Sequence, residues 1–200
     1  IELTRAVARH GLFYAPDPSS QAACTIGGNV AENSGGPHCF RHGATTRHVL
    51  GLKLVTCDGE LLDLSYPSVD PEGYDLCGYV VGSEGMLAFV TEVTIRLTPL
   101  PETVETLLGI FTSLDAACDS VSDLIAARLD PSAIEILDRL TIEAVEASVY
   151  AAGYPKAAEA VLLIEFEGGA LEVEDTVRDV EAILHRRGVI ELRRAKDEKE

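Results

Sequence analysis

Basic residues are scarce in this sequence. Sixteen lysines and arginines stand against 33 aspartates and glutamates in 200 residues, a formal net charge of -17. Phosphate backbones need a basic footprint, so this balance excludes nucleic acid as a partner. It leaves room for a small phosphorylated ligand held by backbone amides, because that is a local matter. Long apolar runs are also missing. None approaches the length of a membrane span, and the first residues lack a secretory leader pattern. The five cysteines, Cys24, Cys39, Cys57, Cys77 and Cys118, are odd in number and scattered, with no CxxC pair. That pattern argues against a disulfide framework and for small buried thiols in a reducing, cytoplasmic compartment. The window His38-Cys39-Phe40-Arg41-His42 has metal-ligand residue types without the paired spacing of zinc sites, so no metal is assigned. There is no internal repeat, and the only biased segment is the charged stretch from Arg193 to Glu200.

What is present is enough apolar material for a packed core, 46% of residues, with an ordinary 24% charged. Residues 4–10 read as a helix stopped by Gly11, and a short extended piece follows over 12–15. Pro16-Asp17-Pro18 then forbids helix. From there to residue 100 the pattern is strands and glycine turns. Residues 50–57 alternate as a strand, Asp58-Gly59 is a hairpin turn, and 61–64 is the return strand. Residues 79–82 read as a short apolar strand. Residues 89–97 form another, with Thr91, Val93, Ile95 and Leu97 on one face. Thr98-Pro99-Leu100-Pro101 breaks the pattern and sets the expected boundary between a domain over 1–101 and one over 102–200.

Past that boundary the order is a strand over 104–111 and an amphipathic helix over 115–129. Cys118, Val121, Leu124 and Ile125 are its expected buried side. A strand over 133–137 and a helix over 141–150 come next. A strand over 161–166 precedes a helix over 171–187 that buries Val173, Val177, Val180 and Leu184. A strand over 189–192 ends the series. Strand, helix, strand, strand, helix, strand is the split βαβ plan with one extra helix.

Chemistry points to the glycine clusters. Thr25-Ile26-Gly27-Gly28-Asn29-Val30-Ala31-Glu32-Asn33-Ser34-Gly35-Gly36 carries a glycine pair at each end. Glycine lets backbone approach a ligand, and successive N–H groups there can cradle an anion such as a diphosphate. The segment is neither a P-loop nor G-x-G-x-x-G, and spacing alone slightly favours two tight turns. Residues 33–57 contain no acidic side chain but hold Arg41, Arg47, Lys53, His38, His42 and His48. Such a clearing suits a phosphate in an otherwise repelling chain. Gly82-Ser83-Glu84-Gly85 is a second turn able to sit against a ligand.

Taken in order, Pro16-Asp17-Pro18-Ser19-Ser20, Thr25-Ile26-Gly27-Gly28-Asn29, Gly73-Tyr74-Asp75-Leu76 and Gly82-Ser83-Glu84-Gly85 resemble the FAD-linked oxidases of the vanillyl-alcohol oxidase / p-cresol methylhydroxylase type. Within that family the pattern is most like the flavin subunits of glycolate oxidase and the D-lactate dehydrogenases. The resemblance covers residues 1–101 by motif and the remainder by element order. It departs at Met86 and Ala88, where the family carries threonine and glycine, and at Glu72, where it carries lysine. It implies an α+β fold: the second half of a two-part FAD-binding domain, mainly antiparallel sheet with helices, followed by a ferredoxin-like cap.

The resemblance also implies roles. Asp17, Thr25, Ile26, Gly27, Gly28, Asn29, Asn33, Ser34 and Gly35 would serve the FAD diphosphate and ribityl region. Gly82, Glu84, Gly85 and Val90 would lie toward its adenosine or ribityl side. The implied reaction oxidises a small 2-hydroxy acid, such as glycolate or D-lactate, to the 2-oxo acid. Partner oxidase subunits, an iron–sulfur subunit among them, are implied too, and they could hold a cytoplasmic protein at the inner membrane. The first half of the FAD site is expected before Ile1 and the histidine- and acid-bearing segment after Glu200, so no catalytic residue is assigned. Two alternatives stand beside this reading: a non-catalytic FAD-binding subunit of an oxidase complex, and a regulatory module for another phosphate ligand.

Overall fold

Short local signals start and stop the first elements. In the computed structural model, which describes residues 1–65 and 73–195, helix α1 (Glu2–Val7) runs into a 3-10 turn that Gly11 ends in the left-handed conformation. Strand β1 (Leu12–Phe13) follows. Helices α2 (Ile26–Glu32) and α3 (Cys39–His42) lead to strand β2 (Val49–Thr56). Strand β3 (Leu61–Asp63) returns antiparallel to it. The turn between them closes through Gly59 N–H on the Thr56 carbonyl, with Gly59 at φ +83°, a conformation that favours glycine.

Helix α4 (Leu76–Val80) stands where a strand over 79–82 is expected. Asp75 caps it by accepting the Gly78 N–H at 2.8 Å, and this N-cap settles a short apolar run whose periodicity alone is ambiguous. Glu72, the departure from the family's lysine, lies outside the described residues.

Strand β4 (Ala88–Ile95) pairs antiparallel with the other side of β2, giving the order β3-β2-β4. Its expected face is corrected by a bulge. Lys53 pairs with Glu92 and Leu54 with Val90, leaving Thr91 unpaired. Thr91 instead donates its hydroxyl to the Lys53 carbonyl at 3.0 Å. The extra residue shifts the phase, so Val90 and Val93 pack against the core and Thr91 faces solvent. That core is Val30 of α2, Leu52 and Leu54 of β2, and Cys77, Val80, Val81 and Ala88. Strand β5 (Thr98–Pro99) pairs with β1 rather than forming a plain break.

The chain divides into two units, Ile1–Leu100 and Pro101–Glu200. In the second, strand β6 (Thr103–Phe111) precedes helix α5 (Leu114–Ala126), which Ser113 caps. Strand β7 (Ala133–Asp138) ends on Asp138, the cap of helix α6 (Arg139–Glu146). Helix α6 stops four residues before the expected Tyr150. Strand β8 (Ala160–Gly168), helix α7 (Ala170–Arg186) and strand β9 (Glu191–Arg194) complete the unit. The sheet order is β7-β8-β6-β9 with every neighbouring pair antiparallel. Strand β8 therefore lies between β6 and β7, which run parallel to each other.

One sheet face packs Leu107, Phe111, Ala160, Leu162, Ile164 and Phe166 against α5 and α7. The other buries Ile110 and Val161 beneath Ile142 of α6. Val173, Val177, Val180 and Leu184 of α7 all face the first core, as their spacing requires. Helix α5 is turned from its expected stripe: Ala117, Ser120 and Leu124 are buried, while Cys118 and Ile125 are exposed. The small residues Ala117 and Ser120 let the helix approach the sheet, and a hydropathy pattern underweights them.

The contact between α5 and α7 is fastened by charge. Arg187 donates twice to Asp123, both at 2.8 Å, and once to Asp119 at 3.1 Å, and Arg186 adds a bond to Asp123 at 3.3 Å. The Arg187 guanidinium and then Arg186 hold Asp123 below its ordinary 3.8, at about 2. A carboxylate depressed on folding contributes stability that is complete above its unfolded value and lost as pH falls through the folded one. Between pH 4 and pH 2 the melting temperature of Asp123→Asn should therefore fall less steeply than that of the parent. Parallel curves from thermal melts across that window would show that the pair contributes nothing.

Candidate functional site

The segment from Thr25 to Glu32 owes its helix to one hydroxyl. Thr25 Oγ1 accepts the Gly28 N–H at 3.0 Å, and Asn29 N–H reaches the Thr25 carbonyl at 2.9 Å. Gly27 and Gly28 are thus first-turn helical residues, neither tight turns nor positive-φ positions. A Cβ added at Gly27 would meet nothing within 4 Å, whereas at Gly28 it would touch Thr25 Oγ1 at 3.2 Å. Open space therefore lies in front of Gly27, and Gly28 is crowded by its own cap.

A cavity of about 740 Å³ opens beside the start of α2. Tyr14, Pro16, Pro18, Cys24, Thr25, Ile26 and Asn29 contribute to its wall. Tyr14 and Asn29 are 7% and 3% exposed, and Tyr14 Oη and Asn29 Oδ1 make no hydrogen bond of proper geometry. Burial raises the Tyr14 phenol above its ordinary value, and the neighbouring Thr45 and Asn29 side chains pull it partly back. These two oxygens are shielded from solvent, so they lie behind the cavity surface rather than on it.

The other motif residues gather at the far end of α2. Asn33 ends the helix at φ +50°, and its Oδ1 accepts the Thr46 N–H at 2.9 Å. The Ser34 carbonyl accepts both the N–H and the hydroxyl of the buried Thr45, at 3.0 and 2.7 Å. The second glycine turn docks here: Gly82 N–H donates to the Val30 carbonyl at 2.8 Å and Glu84 N–H to that of Ala31 at 2.9 Å. Glu84 sits at φ +54° although it carries a Cβ. Strain of that kind costs about 1–3 kcal/mol and is characteristic of sites the surroundings over-determine. The two clusters are thus brought together through α2, but of the expected site residues only Thr25, Ile26 and Asn29 line the cavity; Asp17, Gly27, Gly28, Asn33, Ser34 and Gly35 do not, nor do Gly82, Glu84, Gly85 and Val90. Val90 packs into the core.

Asp17 belongs to a junction of its own. Its Oδ2 contacts His38 Nδ1 at 2.6 Å, while Oδ1 is buried without a partner. A Cβ on Gly36 would overlap the Asp17 carbonyl and carboxylate, and one on Gly35 would overlap Cys39 Sγ. These glycines permit close packing within the protein.

The basic clearing is corrected in part. Lys53 pairs with Glu92 at 2.9 Å. His48 is 4% exposed, and burial pushes its pKa down while its Nε2 faces the His42 carbonyl at 3.0 Å. Cys39–His42 is a short helix, and His38, in the turn before it, contacts Asp17. The thiols need a similar correction. All five are free, but only Cys77 is buried, and Cys57 and Cys118 are exposed. Tyr14 and Cys24 were invisible as site residues, because neither belongs to a spaced pattern. A tyrosine just before Pro16-Asp17-Pro18 was the one available signal.

No described helix is long and apolar enough to cross a membrane. Residues 1–65 match the model of an FAD binding domain, and residues 100–200 match the C-terminal domain of FAD linked oxidases. The whole chain is 45% identical to glycolate oxidase subunit GlcD of Escherichia coli and 43% to that of Bacillus subtilis, spanning 40% and 43% of their lengths. It is 31% identical to D-lactate dehydrogenase of Anaerostipes hadrus, over 96% of this chain and 42% of that one. Among solved structures, alkyldihydroxyacetonephosphate synthase shares the fold with a TM-score of 0.80 at 21% identity, over 99% of this chain and 39% of that chain. The chain thus spans about two fifths of the curated relatives it matches. A capped glycine helix beside a polar-walled cavity and an antiparallel α+β unit after it, each matched by its own family model, place this chain in the family of FAD-linked oxidases.

Proposed function

We propose that this chain is part of a flavin-dependent oxidoreductase that converts a small 2-hydroxy acid, such as glycolate or D-lactate, to the 2-oxo acid. The observation that carries the cofactor half of this reading is the cavity beside Thr25, Ile26 and Asn29. Its wall includes Tyr14 and Asn29, both buried, beside the capping residue Thr25. The substrate half rests on whole-chain identity to proteins named for glycolate and D-lactate.

In this reading Thr25, Ile26, Gly27, Gly28 and Asn29 face the FAD diphosphate and ribityl chain, with Asn33, Ser34 and Gly35 serving it from the far end of α2 and Asp17 fixing the loop before it. Gly82, Glu84 and Gly85, backed by Val90, serve the adenosine or ribityl side. Two hydrogen bonds from that turn to α2 support a common site for both clusters. When bound, FAD supplies the two-electron oxidising chemistry, and the protein's part is to bind, orient and exclude water. In this reading the second unit acts as the cap on the substrate side, and its β7-β8-β6-β9 order supports the ferredoxin-like plan for it. Similarity to a named oxidase subunit supports a place in a complex with further subunits, an iron–sulfur subunit among them.

Anaerobic mixing of the purified full-length flavoprotein with glycolate or D-lactate tests this reading. The oxidised-flavin absorbance should bleach with a 2-hydroxy acid and persist with a simple alcohol. Flavin that binds but is never reduced by any 2-hydroxy acid would favour a non-catalytic subunit. A protein that takes up no flavin would end the cofactor reading.

A further inference from the structure

Strands β3, β2 and β4 bury one face of their sheet and leave the other largely open. On the buried face lie Leu52, Leu54, Val90 and Val93. On the opposite face the register sets three apolar residues in one cross-strand row: Leu61 beside Val55, and Val55 beside Phe89. Leu61 and Phe89 are 79% and 74% exposed. A single exposed apolar side chain is ordinary, but a row spanning every strand of a sheet is a contiguous patch, and such patches mark interaction surfaces. Charge bounds the row on both sides. The neighbouring row sets Lys53 between Asp63 and Glu92, and the hairpin end carries Asp58 and Glu60. All four carboxylate residues are exposed. Lys53 is the only base in residues 49–64 and 88–95, and Glu92 already holds its ammonium at 2.9 Å. The patch is therefore an apolar centre with an acidic rim.

We propose that this face docks another subunit of the oxidase complex, one presenting apolar side chains ringed by lysine or arginine. Apolar groups of the partner cover Leu61, Val55 and Phe89, and its cations meet Asp63, Glu60 and their neighbours. That is the ordinary anatomy of a subunit contact, an apolar core within a polar rim. Charge selects this occupant over two others. A second copy of the chain would bring the same carboxylates, and an anionic bilayer its own negative charge, so the rim repels both. Because the rim pairs are solvent-exposed, salt weakens the docking. This inference rests on the reading of the chain as part of a multi-subunit oxidase, and it adds the surface and the chemistry of the contact.

The test uses the full-length flavoprotein and the assembly it forms with its partner subunits in its own host. Cys57, exposed at the hairpin end, is a built-in reporter, and the exposed Cys118 of the second unit is its control. Alkylation of Cys57 by iodoacetamide should be at least about tenfold slower in the assembly than in the flavoprotein alone, with Cys118 unchanged. Leu61→Ser/Phe89→Ser and Glu60→Lys/Glu92→Lys should each weaken subunit association by at least about tenfold, or about 1.4 kcal/mol. Flavin content and bleaching by the 2-hydroxy acid should stay at the parent level in both. Added salt should weaken association of the parent far more than that of the charge-reversed variant. Leu171→Ser, at a residue 86% exposed in the second unit, should associate like the parent. Should a double variant not fold, the Cys57 rate decides alone. Parent-strength association by either folded variant, or an unchanged Cys57 rate in the assembly, overturns the inference and leaves the complex standing. Self-association, or binding to anionic phospholipid vesicles, that either variant abolishes overturns it in favour of that occupant. A flavoprotein reduced by a 2-hydroxy acid that assembles with no other subunit overturns the inference and the multi-subunit reading together, while the cofactor reading stands.

Discussion

Gly27→Ala should weaken FAD binding by at least about tenfold while leaving the protein as stable as its parent or more so. Gly27 lies in the first turn of α2 without a positive φ, and an added Cβ meets no protein atom within 4 Å. Within the protein, alanine is therefore the better helix residue, by up to about 1 kcal/mol. The open space is the point. If the cofactor diphosphate comes against this turn, a methyl group stands in its way, and losing about 1.4 kcal/mol of contact is a decade of affinity. Affinity and stability then move in opposite directions, which no purely structural role for Gly27 predicts. Gly59→Ala is the control. Its φ of +83° makes it lose stability, and its hairpin leaves flavin binding alone. Flavin titration and thermal melting of both variants in the full-length protein decide the matter. A Gly27→Ala protein that holds FAD as tightly as the parent would remove α2 from the site.

Gly36→Ala should produce the largest loss of stability of any single methyl added to the first unit. The added carbon would overlap the Asp17 carbonyl, its carbonyl carbon and one carboxylate oxygen. Backbone cannot rotate away, so the junction between residues 17 and 36 must open. Overpacking of this kind costs about 3 kcal/mol. For a unit of about 100 residues that lowers the melting temperature by about 12–24 °C. Gly35→Ala is the informative comparison. Its new carbon would overlap Cys39 Sγ, the mobile end of a side chain, and a rotamer change relieves it. Flavin binding should suffer in Gly36→Ala as well, because Pro16 and Pro18 flank Asp17 on the cavity wall. Equal melting temperatures for the two variants would sink this account of the junction.

These two glycines show where the sequence was legible and where it was not. The motif order pointed to the segment that carries α2, yet the glycines in it suggested turns and a ligand cradle. In fact Thr25 makes Gly27 and Gly28 helical, and Gly35 and Gly36 face other protein atoms. A cap is one hydrogen bond, invisible to any count of propensities, which rank glycine low in helices. Helix α7 was readable because four apolar residues at helical spacing outweigh every local ambiguity, and β6 and β8 because their apolar runs are long. Helix α4 and the Thr91 bulge were not, since both turn on a single side-chain bond to backbone. The cavity wall was hardest. Tyr14, Cys24 and Asn29 are neighbours only because the loop after β1 folds against α2, and nothing in their spacing announces it.

The strand order of the second unit bears on how this protein is made. Strand β6 is the first strand of its sheet in sequence, yet it lies inside the sheet with β8 on one side and β9 on the other. Leu107 pairs with Arg194, so one edge of β6 waits for nearly the last described residues of the chain. A ribosome delivers residues in order, and such distant pairings close slowly because loop-closure entropy comes before the contact rewards it. During synthesis β6 therefore passes through a period as an open strand carrying Leu107, Ile110 and Phe111, all fully buried at the end. That interval is when misassociation threatens. Truncations ending before Glu191 should accumulate in aggregates, whereas chains that reach Ala195 can zip the sheet shut.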